Sequence, residues 1–277
     1  MKNFHKKRVI LFLLILVTLT CLQNFGAIPI PSEAFNSLFI MWIPGISAIL
    51  VAIFTGLSIR SFGWGFSIKW LSIGWFIPIF YATLAYNIVW FFGLGDVPNP
   101  TFLERARFTL GAETDSDLLI IIYSFFYITI INLIPNMLFC LGEELGWRGF
   151  LVPQLTKWMT LKKAGWISGI IWATWHLPGI SSGAYASEGL PLWYQIFCFT
   201  ILVISSAMIL AILRMRSNSL WPAVVFHAVH NGVIQHFYDR ITLDTGMTIW
   251  FIGEFGISLA IVVAIFAVVY SKFSYPS

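Results

Sequence analysis

Three stretches of this chain combine residue types at spacings that can do chemistry. The first is Gly142-Glu143-Glu144-Leu145-Gly146-Trp147-Arg148. Glu144 and Arg148 are four apart, so on a helix they share a face and can pair. Glu143 is turned about 100° away and has no cation in its own stretch. A desolvated carboxylate without a cation suits a general base that takes a proton from water. A buried Glu–Arg pair that only fixes helix packing accounts for Glu144 and Arg148, but gives Glu143 no reason to be there.

The second stretch is Trp172-Ala173-Thr174-Trp175-His176-Leu177-Pro178. Trp172 and His176 stack at i, i+4, and Pro178 is expected to end the helix just beyond. Alone, His176 reads as well as a hydrogen-bonded core histidine as it does a catalytic one. The third is His227-Ala228-Val229-His230-Asn231. Here His227 and Asn231 share a face, and His230 is offset with Gln235 and His236 following. A zinc-binding helix of this spacing has His at both ends and a Glu beside the first. Asn stands at the second position here, a poor metal ligand but a good donor to a carbonyl or oxyanion. Interhelical hydrogen bonding, worth on the order of 1 kcal/mol per contact, is the plainer reading. Four polar side chains on one apolar helix exceed that need. Glu254, isolated in a later apolar run, is expected to snorkel or to meet a histidine or asparagine of a neighbour.

These residues need elements to hold them, and composition says which. Of 277 residues, 58% are hydrophobic, 10% charged and 17% aromatic, with mean hydropathy +0.85. A soluble domain would need far more charge to cover its surface. Apolar runs of bilayer-spanning length recur along the chain, without the period-two alternation of a barrel. Helices are expected at about 9–28, 35–57, 70–94, 118–144, 164–177, 191–213, 219–238 and 247–271. The reading is an all-α, polytopic membrane protein, a bundle of about eight transmembrane helices around an intramembrane polar site. The fifth segment is short, and its Gly165 and Gly169 point to close packing against a neighbour.

Charge checks this arrangement independently, because cytoplasmic loops collect Lys and Arg. If Lys2, Lys6, Lys7 and Arg8 lie inside, alternation puts all sixteen basic residues inside except Arg105, Arg107 and Arg240. Nine acidic residues, among them Glu33, Asp96, Asp117, Glu188 and Asp244, then fall outside. Both termini are therefore expected in the cytoplasm, with the protein in a cell membrane of bacterial type. The net charge of +4 follows from this sidedness and gives no reason to expect nucleic acid. The same basic loops favour anionic lipid headgroups.

Residues 1–277 read as a single integral membrane domain, with the motifs in a core of about 118–240. Thr101 to Leu110 is expected as a short surface helix, and Pro135 as a kink that aims the Glu143 motif inward. Cys21, Cys140 and Cys198 lie in apolar segments without paired spacing and read as small core residues. The first segment has the basic start and apolar run of a signal peptide. Its apolar stretch continues to Ile30, which favours a retained helix.

Glu-Glu-x-x-x-Arg, aromatic-x-x-x-His and His-x-x-x-Asn, in that order on separate apolar helices, resemble the CAAX prenyl endopeptidases and bacteriocin-processing, immunity-type intramembrane proteases. Glu143, Glu144 and Arg148 fit the first motif, Trp172 and His176 the second (Trp where Phe is common), and His227 and Asn231 the third. The resemblance implies a site inside the membrane, open toward the cytoplasm, that hydrolyses a peptide bond. In that reading Glu143 activates water, His176 orients it, and His227 and Asn231 stabilise the oxyanion. Glu144 and Arg148 pair or bind substrate, with Trp172 and His230 secondary. No cofactor is required. The alternative is zinc held by Glu143, His176 and His227, with water as fourth ligand. Substrates would be peptides or lipid-anchored proteins. Two other readings stay open, a non-catalytic immunity or scaffold protein and, behind it, a secondary transporter.

Overall fold

The computed structural model describes residues 2–28 and 30–274, and Met1, Pro29 and the last three residues lie outside the described residues. The expected sidedness of the extreme termini falls there. Ten named helices carry the fold: α1 Lys2–Asn24, α2 Glu33–Thr55, α3 Ile68–Phe91, α4 Pro100–Leu110, α5 Asp117–Phe126, α6 Leu133–Glu144, α7 Leu161–Ser181, α8 Leu192–Ser217, α9 Trp221–Asn231 and α10 Ile257–Ser274. Short π-helical turns extend three of them. Residues 127–131 follow α5, 145–151 carry α6 on to Leu155, and 232–238 carry α9 on to Ile241. Among the described residues there is no named strand, only the isolated bridges Trp64–Ser219 and Asp96–Leu243.

Helix starts follow their caps. Ser32, Asn99, Ser116 and Thr160 each accept a hydrogen bond from a first-turn backbone N–H of α2, α4, α5 and α7. The surface helix expected at Thr101 to Leu110 is α4. All eight expected apolar segments are helical over most of their length. Four helices among the described residues (α1, α2, α3 and α8) are long and apolar enough to cross a membrane, or five if the bent α5–α6 pair counts as one. The expected number of about eight crossings exceeds this. The shortfall lies in α7, α9 and α10, which are shorter or carry more polar residues.

The α5–α6 pair bends by 45°. Pro135 has no N–H for the carbonyl one turn back, and a wide π turn precedes it, with Asn132 N–H reaching Tyr127 O at 2.8 Å. The kink expected at Pro135 is present. Close glycine contacts then fix the neighbours. A Cβ on Gly142 would lie 2.6 Å from Trp42 Cα, and one on Gly146 2.5 Å from Pro44, so α2 packs backbone to backbone on the Glu143 segment. Gly169 would meet Ile204 and Ala207 at 2.9 Å, which is the close packing expected of the fifth segment.

Three expectations are corrected. The fourth segment does not stop at residue 144. It runs on to Leu155, so Arg148 sits inside the bundle and not in a basic loop. Pro178 does not end α7, which continues to Ser181 and stops before Gly183 at φ +80°. Glu254 is not in the eighth helix. Gly253, at φ +72°, belongs to a turn that carries Glu254 and precedes α10.

Candidate active site

A cavity of about 500 Å³ enters the bundle between α1, α2, α7, α8 and α9. Glu143, Trp172, His176, His227, His230 and Asn231 all line it. Six of the eight side chains singled out from sequence therefore meet in one place, although their motifs are spread over nearly ninety residues.

The 145–151 π turn positions the Glu143 segment. Trp147 Nε1 donates to Glu143 Oε2 at 3.2 Å from within the same helix, and Trp172 Nε1 donates to the same oxygen at 2.6 Å from α7. Among the described residues no cation touches Glu143 and no donor reaches its second oxygen. Its side chain is held by two indoles, 3% exposed and facing the cavity. Such a carboxylate keeps lone pairs free for water.

Glu144 differs in having a cation beside it, and both of its contacts fall on Oε1, leaving Oε2 without a partner among the described residues. It is fully buried, pairs with Arg148 Nη1 at 2.9 Å and accepts from His227 Nδ1 at 3.0 Å. The Arg148 guanidinium lies 4.2 Å over the Trp172 ring. Arg148 is fully buried too, and Arg214 Nε caps its carbonyl at 3.0 Å. Neither Glu144 nor Arg148 lines the cavity. Trp172 is thus the keystone: its N–H holds Glu143, its face carries Arg148, and its edge meets His227 at 5.4 Å between centroids.

His176 donates from Nδ1 to the Trp172 carbonyl at 3.0 Å, which leaves Nε2 as an acceptor. Trp175, Tyr185 and Phe199 pack around the ring. Asn231 makes only a weak contact to Cys140 Sγ at 3.8 Å, so its amide is free to donate elsewhere. His230 sits in a second polar group. Tyr81 OH contacts its Nδ1 at 2.5 Å and Glu254 its Nε2 at 3.1 Å, while Gln235 and the Tyr185 hydroxyl donate to Glu254. Of the readings the sequence offered for Glu254, snorkelling or a histidine or asparagine of a neighbour, the structure shows the histidine, while Tyr185 and Tyr81 were missed. Tyr185 lies in the loop after α7, where no periodicity marks it.

Glu143, His176 and His227, the three candidate zinc ligands, are tied to different partners. Among the described residues no three His, Cys, Asp or Glu side chains converge as an ion-holding group.

The cavity also departs from the expected opening. Its exposed rim is Asn24, Ser37, Pro178, Ser182 and Ala184, at the ends of α1, α2 and α7 away from the basic loops. Toward the basic end it is closed by Trp147, Phe150, Leu151, Leu210, Phe12 and Leu213, each fully buried. The site does not open where Lys and Arg cluster.

Residues 117–233 match the family described as Type II CAAX prenyl endopeptidase Rce1-like. The match starts at the first residue of α5 and ends just past Asn231, so it takes in all three motifs. CAAX prenyl protease 2 of Methanococcus maripaludis is 32% identical over 92 residues, which are 32% of this chain and 34% of that protein. The chain thus aligns with about a third of the length of this curated relative. Outside the matched residues, Asn24 of α1 and Ser37 of α2 supply part of the cavity's rim, Tyr81 of α3 contacts His230, and Phe12 and Phe62 join the packing that closes the basic end.

Proposed function

We propose that the chain is an intramembrane endopeptidase in which Glu143 activates water. The observation that carries this is the isolation of Glu143. One of its oxygens is pinned by two indole N–H groups, no cation among the described residues pairs with it, and it faces a cavity shared with three histidines and Asn231. A water bound to its free oxygen gives up a proton there and attacks the scissile carbonyl carbon. The proton then passes to the departing amine. The free Nε2 of His176 accepts the water's second hydrogen and orients its lone pair.

His227 keeps Nδ1–H on Glu144, and when Nε2 is protonated as well it offers that N–H to the developing oxyanion, beside the Asn231 amide. In a dry site one such donor is worth about 2.7–4 kcal/mol of barrier. In this reading Glu144 and Arg148 position His227 and Trp172 and do not touch substrate. Among the described residues no Lys or Arg lines the cavity. The preferred substrate is a small or membrane-associated peptide. Orientation follows the charge, with the basic loops and both chain ends on the cytoplasmic side of a bacterial cell membrane, against anionic lipid.

The test compares peptide termini in host membranes carrying the native protein or Glu143→Gln at equal abundance. New termini that need Glu143 are expected, and they name the substrate. Identical profiles, with the native protein folded and candidate peptides expressed, overturn the reading in favour of a binding or immunity role.

A further inference from the structure

We infer that the substrate reaches Glu143 from the extracytoplasmic side, through the rim formed by the ends of α1, α2 and α7. The inference rests on the endopeptidase reading for its substrate and on geometry for its direction.

Three observations converge on that direction. The first is charge. Lys6, Lys7, Arg60, Lys69, Lys157, Lys162, Lys163 and Arg216 all belong to loops or helix ends at one end of the bundle. Direct contacts join that end across elements: Arg8 Nη2 reaches Thr55 O at 3.1 Å, and His5 Nδ1 lies 2.9 Å from Gln154 Oε1. A strong bias of this kind marks the cytoplasmic face.

The second is the exposure of the lining. Residues of the cavity wall that reach solvent lie at the opposite end, and Gln23 Nε2 donates to Asn36 Oδ1 at 3.0 Å across that rim. Lining residues nearer the basic end, Leu210 and Phe226, are buried. The third is the plug itself. Phe12 packs edge-on against Trp147 at 5.9 Å and tilted against Phe150 at 5.1 Å, while Phe150 meets Phe62 at 6.3 Å. Arg214, in contact with the Arg148 carbonyl and the Ser61 carbonyl, fills the space beneath. A peptide coming from the cytoplasm would have to break this aromatic layer, whereas one coming from outside meets an open polar rim.

The depth of the cavity sets the length of chain it admits. Trp172, which holds Glu143, lies ten residues along α7 from Ser182 at the rim, roughly 15 Å at the helical rise. An extended peptide covers that in about four or five residues. The substrate class is therefore an exported or outward-facing peptide segment that feeds four or five residues into the cavity.

The test reads direction and chemistry separately. In a Cys21→Ser background, with Cys140 and Cys198 buried, Ser182→Cys and Ser37→Cys place thiols at the rim and Lys162→Cys places one on a basic loop. A membrane-impermeant maleimide applied to intact cells is expected to label both rim cysteines, and Lys162→Cys only after permeabilisation. Labelling of either rim thiol should slow Glu143-dependent cleavage by tenfold or more. Rim cysteines that react only after permeabilisation, or that react from outside without slowing cleavage, overturn the inference. If one rim variant fails to fold, the other carries the measurement. Outside labelling together with no Glu143-dependent cleavage defeats the endopeptidase reading and leaves the outward cavity standing.

Discussion

Two carboxylates face the same cavity and the fold treats them differently. Glu143, in the bent α5–α6 rod, receives two indole N–H groups on one oxygen and, among the described residues, nothing on the other. Glu254, in the turn before α10, is held on both oxygens, by His230 on one and by Gln235 and Tyr185 on the other. Tyr81 in turn holds the far nitrogen of His230. Both carboxylates are buried, so burial does not separate them. The difference lies in unused lone pairs. Glu254 has spent its acceptor capacity on the protein and ties α7, α9 and the last turn together. Glu143 keeps an oxygen for water.

The sharpest way to break this comparison is Glu143→Gln. The amide keeps the shape and can still accept from Trp147 and Trp172, but it cannot take a proton from water. Cleavage should fall by roughly 10²–10⁴-fold, the usual contribution of a general base. Detergent-solubilised thermal unfolding should move little. Retained cleavage at full fold would remove Glu143 from the chemistry.

A smaller effect is expected where the donor to Glu143 is lost and the carboxylate kept. Trp172→Phe keeps an aromatic ring near Arg148 and His227 but deletes the N–H 2.6 Å from Oε2, together with some of the indole's bulk. Hydrogen bonds to charged groups are worth about 1.5–3 kcal/mol, so turnover should slow by roughly ten- to a hundredfold. Because the loss bears on the geometry of the base, it should appear in kcat with KM little changed. A change confined to KM would assign Trp172 to substrate binding.

The sequence made some of this contrast readable and hid the rest for definite reasons. Glu143 stood out because Arg148 is one turn from Glu144 and cannot serve both carboxylates, which is purely local geometry. The helical rods were readable from apolar runs, the bend from Pro135, and the close packing of α7 on α8 from Gly165 and Gly169. Glu254 was readable as an anomaly but not as a partner of Tyr185, because a loop residue has no periodicity to say which way it points. The direction of the opening was hidden too. It depends on Phe12, Phe62, Trp147 and Phe150 closing over one another from three separate parts of the chain, and no spacing encodes that meeting. Arg148 misled the reading of loops for a related reason. Its charge counted as cytoplasmic until the π turn and the run to Leu155 placed it inside the bundle.

The Glu254 side of the comparison predicts changes in stability and not in rate. Glu254→Gln keeps the shape, but it weakens the contact with His230 and turns one acceptor oxygen into a donor facing other donors. A loss of about 1–3 kcal/mol is expected, read as a lower unfolding midpoint, with cleavage within tenfold of native. Tyr185→Phe is gentler still. It removes one hydroxyl from Glu254 while leaving the ring packed against His176, Phe199 and Phe255. Gln235 and His230 remain on the carboxylate, so roughly 1 kcal/mol of stability should go and turnover should stay near native. If Tyr185→Phe instead slowed turnover as much as Trp172→Phe while unfolding stayed put, Glu254 would be part of the reacting site. The two carboxylates would then act as a pair.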